Sequence, residues 1–255
     1  MRIQKKFEQL QTKNEKALIV YLTAGFPTMD DFVRILKETA DAGADIIEIG
    51  IPFSDPIADG PTIQASSQIG LEKGATIPVI LDAIRDLNLN VPLVFMSYLN
   101  PLLAYGQEKL LKDMTDAGVT GLIIPDLPVE EAESWKIVAQ SKDVDTIFLV
   151  TPTSSEQRIK LIANASAGFV YCVSLTGITG ARSTLSSDVT GFLDRVKSCS
   201  KVPIAVGFGI SKPEHILNLK AHADGLIVGS RVIDAIQIGE DLGALIRDLK
   251  DVTRG

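Results

Sequence analysis

Ala42-Gly43-Ala44-Asp45-Ile46-Ile47-Glu48-Ile49-Gly50-Ile51-Pro52-Phe53-Ser54-Asp55-Pro56-Ile57-Ala58-Asp59-Gly60-Pro61 holds the architecture in miniature. Gly43 follows a helical pattern and precedes an apolar run, the signature of a helix C-cap leading into a strand. Asp45–Ile49 is short and apolar, as expected of a parallel strand covered on both faces. From Gly50 onward the chain reads as neither strand nor helix: three prolines cannot donate to a ladder, and two glycines permit conformations that other residues avoid. Three acids stand in or beside this loop, Glu48, Asp55 and Asp59, with Phe53 and Ile57 as its apolar anchors. Glu48 ends a strand where a β-branched residue is expected. A carboxylate there is unfavourable without a partner or a chemical task, which makes Glu48 the first catalytic candidate.

The same unit recurs outward from this stretch. Strands are expected at Ala17–Leu22, Asp45–Ile49, Pro92–Met96, Gly121–Ile124, Thr146–Val150, Phe169–Val173, Ile204–Val206 and Gly225–Val228. Helical patterns lie between them, at 29–42, 62–73 with 77–87, 107–117, 130–141, 154–164, 188–199, 213–221, and 230–236 with 240–252. Ile3, Phe7 and Leu10 mark an extra amphipathic helix over residues 3–12. Eight strand–helix units in 255 residues point to one α/β domain spanning 1–255, a (β/α)₈ TIM barrel. An open doubly wound sheet is the alternative, but there is no early Gly-x-Gly-x-x-Gly turn. Connections after the second and sixth strands (51–61 and 174–187) are long, whereas those at the opposite end are short. Active sites of such barrels form at the C-terminal ends of the strands, so the asymmetry marks the functional face.

Composition excludes several classes. The net charge is −7 with scattered basic residues, unlike a phosphate-backbone binder. Cys172 and Cys199 have no Cys or His neighbour at metal-ligand spacing, so no metal site is expected. There is no leader-like or membrane-length apolar run, and the chain reads as soluble and cytoplasmic. Three glycine-bearing loops follow strands six to eight: Thr176-Gly177-Ile178-Thr179-Gly180, Gly207-Phe208-Gly209-Ile210-Ser211 and Gly229-Ser230. Ser230 opens a short helix after the eighth strand. Barrels hold phosphate with the loops after strands seven and eight and such a helix N-terminus, so a phosphorylated substrate is expected.

Residues Glu48 to Gln64, with Tyr171-Cys-Val-Ser-Leu-Thr-Gly-Ile-Thr-Gly-Ala-Arg182, closely resemble the tryptophan synthase alpha subunit family, and the likeness runs from Tyr21 to Ser230. The resemblance implies retro-aldol cleavage of indole-3-glycerol phosphate to indole and glyceraldehyde 3-phosphate. It implies Glu48 as general acid/base and Asp59 as the carboxylate facing the indole N–H. Tyr171 matches a substrate-site tyrosine, and Thr179 a loop residue that bonds Asp59 on closure. Gly180, Gly209, Gly229 and Ser230 match phosphate contacts, while Tyr21, Val150 and Phe208 fall where the family lines its indole pocket. It also implies a beta-type partner subunit carrying PLP, met through Pro52 and Asp55 in an alpha₂beta₂ assembly, with no cofactor in this chain. Phe26 departs from the family, which often has Asp there. Asp126, a third acid at this face, is read as structural or pocket-supporting rather than catalytic. A stand-alone lyase and a catalytically silent ligand-sensing subunit are the rival readings.

Overall fold

The structure, a computed structural model, describes residues 2–174, 187–207 and 209–255. In chain order the elements are α1 (Ile3–Thr12), β1 (Ala17–Thr23), α2 (Met29–Asp41), β2 (Ile46–Gly50), α3 (Pro61–Glu72), α4 (Ile77–Ile84), β3 (Leu93–Met96), α5 (Leu99–Tyr105) and α6 (Gln107–Asp116). They continue as β4 (Val119–Ile123), α7 (Glu133–Ser141), β5 (Asp145–Ile147), β6 (Leu149–Val150), α8 (Glu156–Ala165), β7 (Val170–Val173), α9 (Ser187–Cys199), β8 (Ile204–Gly207), α10 (Pro213–Leu219), β9 (Gly225–Val228), α11 (Ser230–Ile238) and α12 (Leu242–Asp251).

All strand pairs are parallel, in the order β5-β4-β3-β2-β1-β9-β8-β7-β6. The two ends of that order are one piece of chain, because only Phe148 separates β5 from β6. Its first half pairs with β4 (Ile123 opposite Ile147) and its second with β7 (Leu149 opposite Tyr171). The Phe148 carbonyl accepts from the Tyr171 N–H at 3.0 Å. The fifth expected strand is therefore split between two neighbours, and that split closes the (β/α)₈ barrel. One helix was not foreseen. α5 is seven residues long, has Pro101 in its first turn and buries only Leu102, too short to display a period.

Alternation along each strand divides the core in two. One face of the strands packs against the helices, with Ile47, Ile49, Phe95, Leu122, Cys172 and Val206 in that layer. The other face fills the barrel interior, with Ile19, Ile46, Val94, Ile123, Ile147 and Tyr171. α1 closes the N-terminal mouth: Ile3, Phe7 and Leu10 are buried in the interior cluster, and the Phe7 ring lies 6.0 Å from that of Phe169. Beside this plug, buried Lys250 of α12 bonds Asp45 and Glu15, each at 2.9 Å, while Asp45 also accepts from the Leu18 N–H. The last helix is thus tied to the start of the first two strands. Among the described residues no helix is long and apolar enough to cross a membrane.

Candidate active site

The opposite mouth holds a cavity of about 320 Å³. Period-two alternation in β2 sends Ile46, Glu48 and Gly50 inward. Glu48 is 1% exposed, and its Oε2 has no hydrogen-bond partner among the described residues. Burial first, and then the nearby charge of Asp59, raise its pKa to about 8. At neutral pH this side chain is a carboxylic acid inside an otherwise apolar barrel.

Asp59 reaches the same cavity from the loop between β2 and α3. That loop is fastened to α3. The Phe53 N–H donates to Ser67 Oγ at 3.1 Å, and Gln64 Nε2 donates to the Asp59 carbonyl at 2.9 Å. The Asp59 carboxylate accepts from the Tyr98 hydroxyl at 3.0 Å, and that hydroxyl accepts from the Ala58 N–H at 2.9 Å. Burial raises the Asp59 pKa to about 6, against the opposing effect of the Tyr98 bond. Two carboxyl groups in one cavity therefore hold protons with different strength, one neutral and one ionised near pH 7.

Two phenols form the walls. Tyr21 (β1) and Tyr171 (β7) lie where side chains of the neighbouring strand ends would stand. A Cβ at Gly50 would sit 1.9 Å from the Tyr21 hydroxyl, and one at Gly207 would sit 2.6 Å from that of Tyr171. Only glycine at these two inward positions admits the rings. Met96, Ile63, Ile210 and Ile227 supply apolar lining. At the far side stand Gly209, Ser211, Gly229 and Ser230. Gly209 has φ +80°, a backbone state that favours glycine. α11 begins at Ser230 with no side-chain cap among the described residues, and its first two N–H groups, of Ser230 and Arg231, are placed to meet an anion in the cavity. Among the described residues no three His, Cys, Asp or Glu side chains are placed to hold a metal ion.

Glu48, Asp59, Tyr21, Tyr171, Gly209, Gly229 and Ser230 thus meet around one cavity. Val150 does not. It is fully buried in the layer between strands and helices, and its neighbour Leu149 packs against the interior cluster instead. Its partner in the register is Cys172, also outward, whereas Leu149 pairs with inward Tyr171. The expectation was one residue out of phase. Thr179, Gly180 and Phe208 lie outside the described residues.

In the loop, Asp55 is exposed and accepts from the Ser54 hydroxyl at 2.5 Å. Pro52, expected at the same surface, is buried in this chain: its ring closes on α3, where a Cβ at Gly70 would meet it at 2.8 Å. Ile57 is 83% exposed and is no anchor, whereas Phe53 is one, its ring stacked on Tyr98 at 5.3 Å. Phe26 is buried in the interior cluster. The Asp126 carboxylate accepts from the Leu99 N–H at 2.9 Å at the start of α5. Sequence reasoning overlooked Met96, Ile227, Arg231, Asp234 and Tyr98. The signal for Met96 was its place as the last inward residue of its strand, and for Tyr98 its place two residues beyond that strand's end.

Comparison with known proteins places this geometry among relatives. The family model described as "Tryptophan synthase alpha chain" matches residues 7–252. A tryptophan synthase alpha chain of Thermoanaerobacter sp. is 46% identical over 251 residues, covering 98% of this chain and 95% of the relative. One from Geobacter sulfurreducens is 42% identical, covering 98% of each. Among solved structures, Mycobacterium tuberculosis tryptophan synthase superposes with a TM-score of 0.94 at 36% identity, covering 100% of this chain and 98% of that one. The tryptophan synthase subunit alpha of Legionella pneumophila gives 0.90 at 33% identity, covering 99% and 98%.

Proposed function

The chain belongs to the tryptophan synthase alpha chain family, and from that premise we propose that it cleaves indole-3-glycerol phosphate to indole and glyceraldehyde 3-phosphate. The observation that carries this reading is the pair of carboxyl groups of unlike proton affinity, Glu48 and Asp59, facing one cavity with an open helix N-terminus.

The chemistry derives from their states. Glu48, neutral near pH 7, gives its proton to indole C3, which turns the ring into a leaving group. Ionised Asp59 accepts a hydrogen bond from the indole N–H and stabilises the positive charge that develops on the ring. The bond between C3 and the glycerol carbon then breaks, and its electrons return to the indole. The hydroxyl on that carbon becomes the aldehyde carbonyl and loses its proton to the Glu48 carboxylate, which restores the acid. Tyr21, Tyr171, Met96 and Ile227 enclose the ring. The donors at Gly209, Gly229 and Ser230 take the phosphate. The same reading treats residues 1–255 as one domain working in the cytoplasm. Its partner is a beta-type subunit that carries PLP, two of each chain per assembly, with Asp55 at the contact.

Indole release from indole-3-glycerol phosphate, with and without a beta-type subunit, tests the proposal. Glu48→Gln and Asp59→Asn should each lower it by roughly 10²-fold or more while substrate still binds. Wild-type turnover in either variant removes that residue from the mechanism.

A further inference from the structure

Tyr98 stands behind the Asp59 carboxylate rather than on the cavity wall. It is 4% exposed and does not border the cavity, yet its hydroxyl serves two consecutive residues of the β2–α3 loop. It accepts from the Ala58 N–H at 2.9 Å and donates to the Asp59 carboxylate at 3.0 Å. Its ring meets the beginning of the same loop, stacked on Phe53 at 5.3 Å with the planes 30° apart. One side chain thus holds both ends of a segment that is mostly exposed between them. Tyr98 is itself held. It leads into α5, whose first N–H, that of Leu99, is bonded to Asp126 from beyond β4.

We propose that Tyr98 is the positioning residue of the site, which fixes the direction of the Asp59 carboxylate and keeps it in its ionised form. The inference rests on the reaction proposed above, because there Asp59 must be charged and aimed at the ring nitrogen. A chain of donors from N–H to O–H to carboxylate strengthens each member by polarisation. Desolvation works in the opposite direction, since burial raises the proton affinity of Asp59 and the Tyr98 bond counters it. The phenol does not compete for the role of base. Burial and the adjacent Asp59 push its own pKa well upward, so it remains a donor across the working range. Among the described residues the other titratable groups coupled to Asp59 or its partner are Glu48 from β2, Tyr21 from β1, Tyr171 from β7 and Asp126 beside Tyr98. Where Asp59 titrates, near pH 6, Glu48 and the phenols stay protonated, so they do not produce the effect sought.

Tyr98→Phe keeps the ring and its stack and removes only the hydroxyl. In steady-state indole release by the full chain with a beta-type subunit, kcat should fall about ten- to a hundredfold, the size of a lost hydrogen bond to a charged group. KM should stay within about twofold, and the acidic limb of the kcat profile should move to higher pH. The carboxyl carbon of Asp59, followed by ¹³C NMR in the free chain, should titrate at higher pH in the variant than in wild type. Tyr98→Leu, which also loses the stack, should add a loss of thermal stability that Tyr98→Phe largely avoids. Wild-type kcat with an unmoved Asp59 titration in Tyr98→Phe overturns the inference. So does a fall in kcat matched by an equal fall in stability with no movement of the Asp59 titration, since that is a structural role alone. If wild type releases no indole, or Asp59→Asn is fully active, the proposed reaction falls instead. The NMR titration still decides whether Tyr98 holds Asp59 ionised.

Discussion

A carboxylic acid inside an apolar barrel affects both reaction and folding, and Glu48 does so with one shift. Its folded pKa is about 8 against an ordinary 4.5, while Asp59 sits at about 6 against 3.8. The proposed reaction needs Glu48 protonated and Asp59 ionised. Indole release should therefore rise as pH passes about 6, when Asp59 loses its proton, and fall beyond about 8, when Glu48 does. Kinetics across that range check the two limbs, and Glu48→Gln should abolish the alkaline one. Folding carries the opposite sign. Between 4.5 and about 8 the folded chain keeps a proton on Glu48 that the unfolded chain has released. Its burial therefore destabilises the fold progressively as pH rises through that window. Glu48→Gln, neutral in both states, should show a stability gain over wild type that grows from pH 5 to pH 8 and reaches the order of a few kcal/mol. Denaturant melts at the two ends of the window measure it, and a gain independent of pH would mean that Glu48 is already solvated in the folded chain.

Helices at the two mouths of the barrel have different tasks. α1 is a plug: Phe7 is 6% exposed, against Phe169. Phe7→Ala should destabilise by about 3–5 kcal/mol, the usual result of emptying a buried aromatic site, while the active mouth keeps its geometry. Thermal unfolding together with the indole assay below the transition distinguishes that outcome from damage to the site. α11 presents its start to the cavity. A Cβ at Gly229 meets Tyr21 at 3.4 Å, ordinary contact, so alanine fits there. Valine adds methyl groups beside the first N–H donors of α11. Gly229→Val should raise KM for the phosphorylated substrate about tenfold or more, with a much smaller effect on a dephosphorylated analogue. Equal effects on both would make the glycine a turn former only.

Beyond a single chain, the exposed middle of the β2–α3 loop is where an outside surface can act on Asp59. Asp55 is exposed four residues before Asp59, and the two belong to one loop clamped at both ends. In the proposed assembly a beta-type subunit that engages Asp55 raises the population of loop conformers with Asp59 in place. Asp55→Ala should then keep the low basal rate of the free chain and lose most of the partner's stimulation, roughly tenfold or more. A titration of beta-type subunit against indole release tests this. Full activation of the variant would move the contact elsewhere in the loop.

Sequence alone determined the strand–helix repeat, the mouth with the long connections, Glu48 as an inward acid and the glycines that follow the last strands. Those features depend on neighbours along the chain. Periods of two and 3.6 and the effects of Gly and Pro are local, and a carboxylate within an apolar strand is visible without its surroundings. Tertiary structure decided the rest. Phe148-Leu149-Val150 is apolar at every position, so its composition carries no sign of which side faces inward. Pairing with Tyr171 and Cys172 turned Val150 out of the site. Closure of the barrel depended on the same segment being shared between β4 and β7. Tyr98 and Asp59 are 39 residues apart and touch only because β2 and β3 are adjacent and their loops rise at the same mouth. Which distant side chains converge is set by strand order and register, and no local period records either.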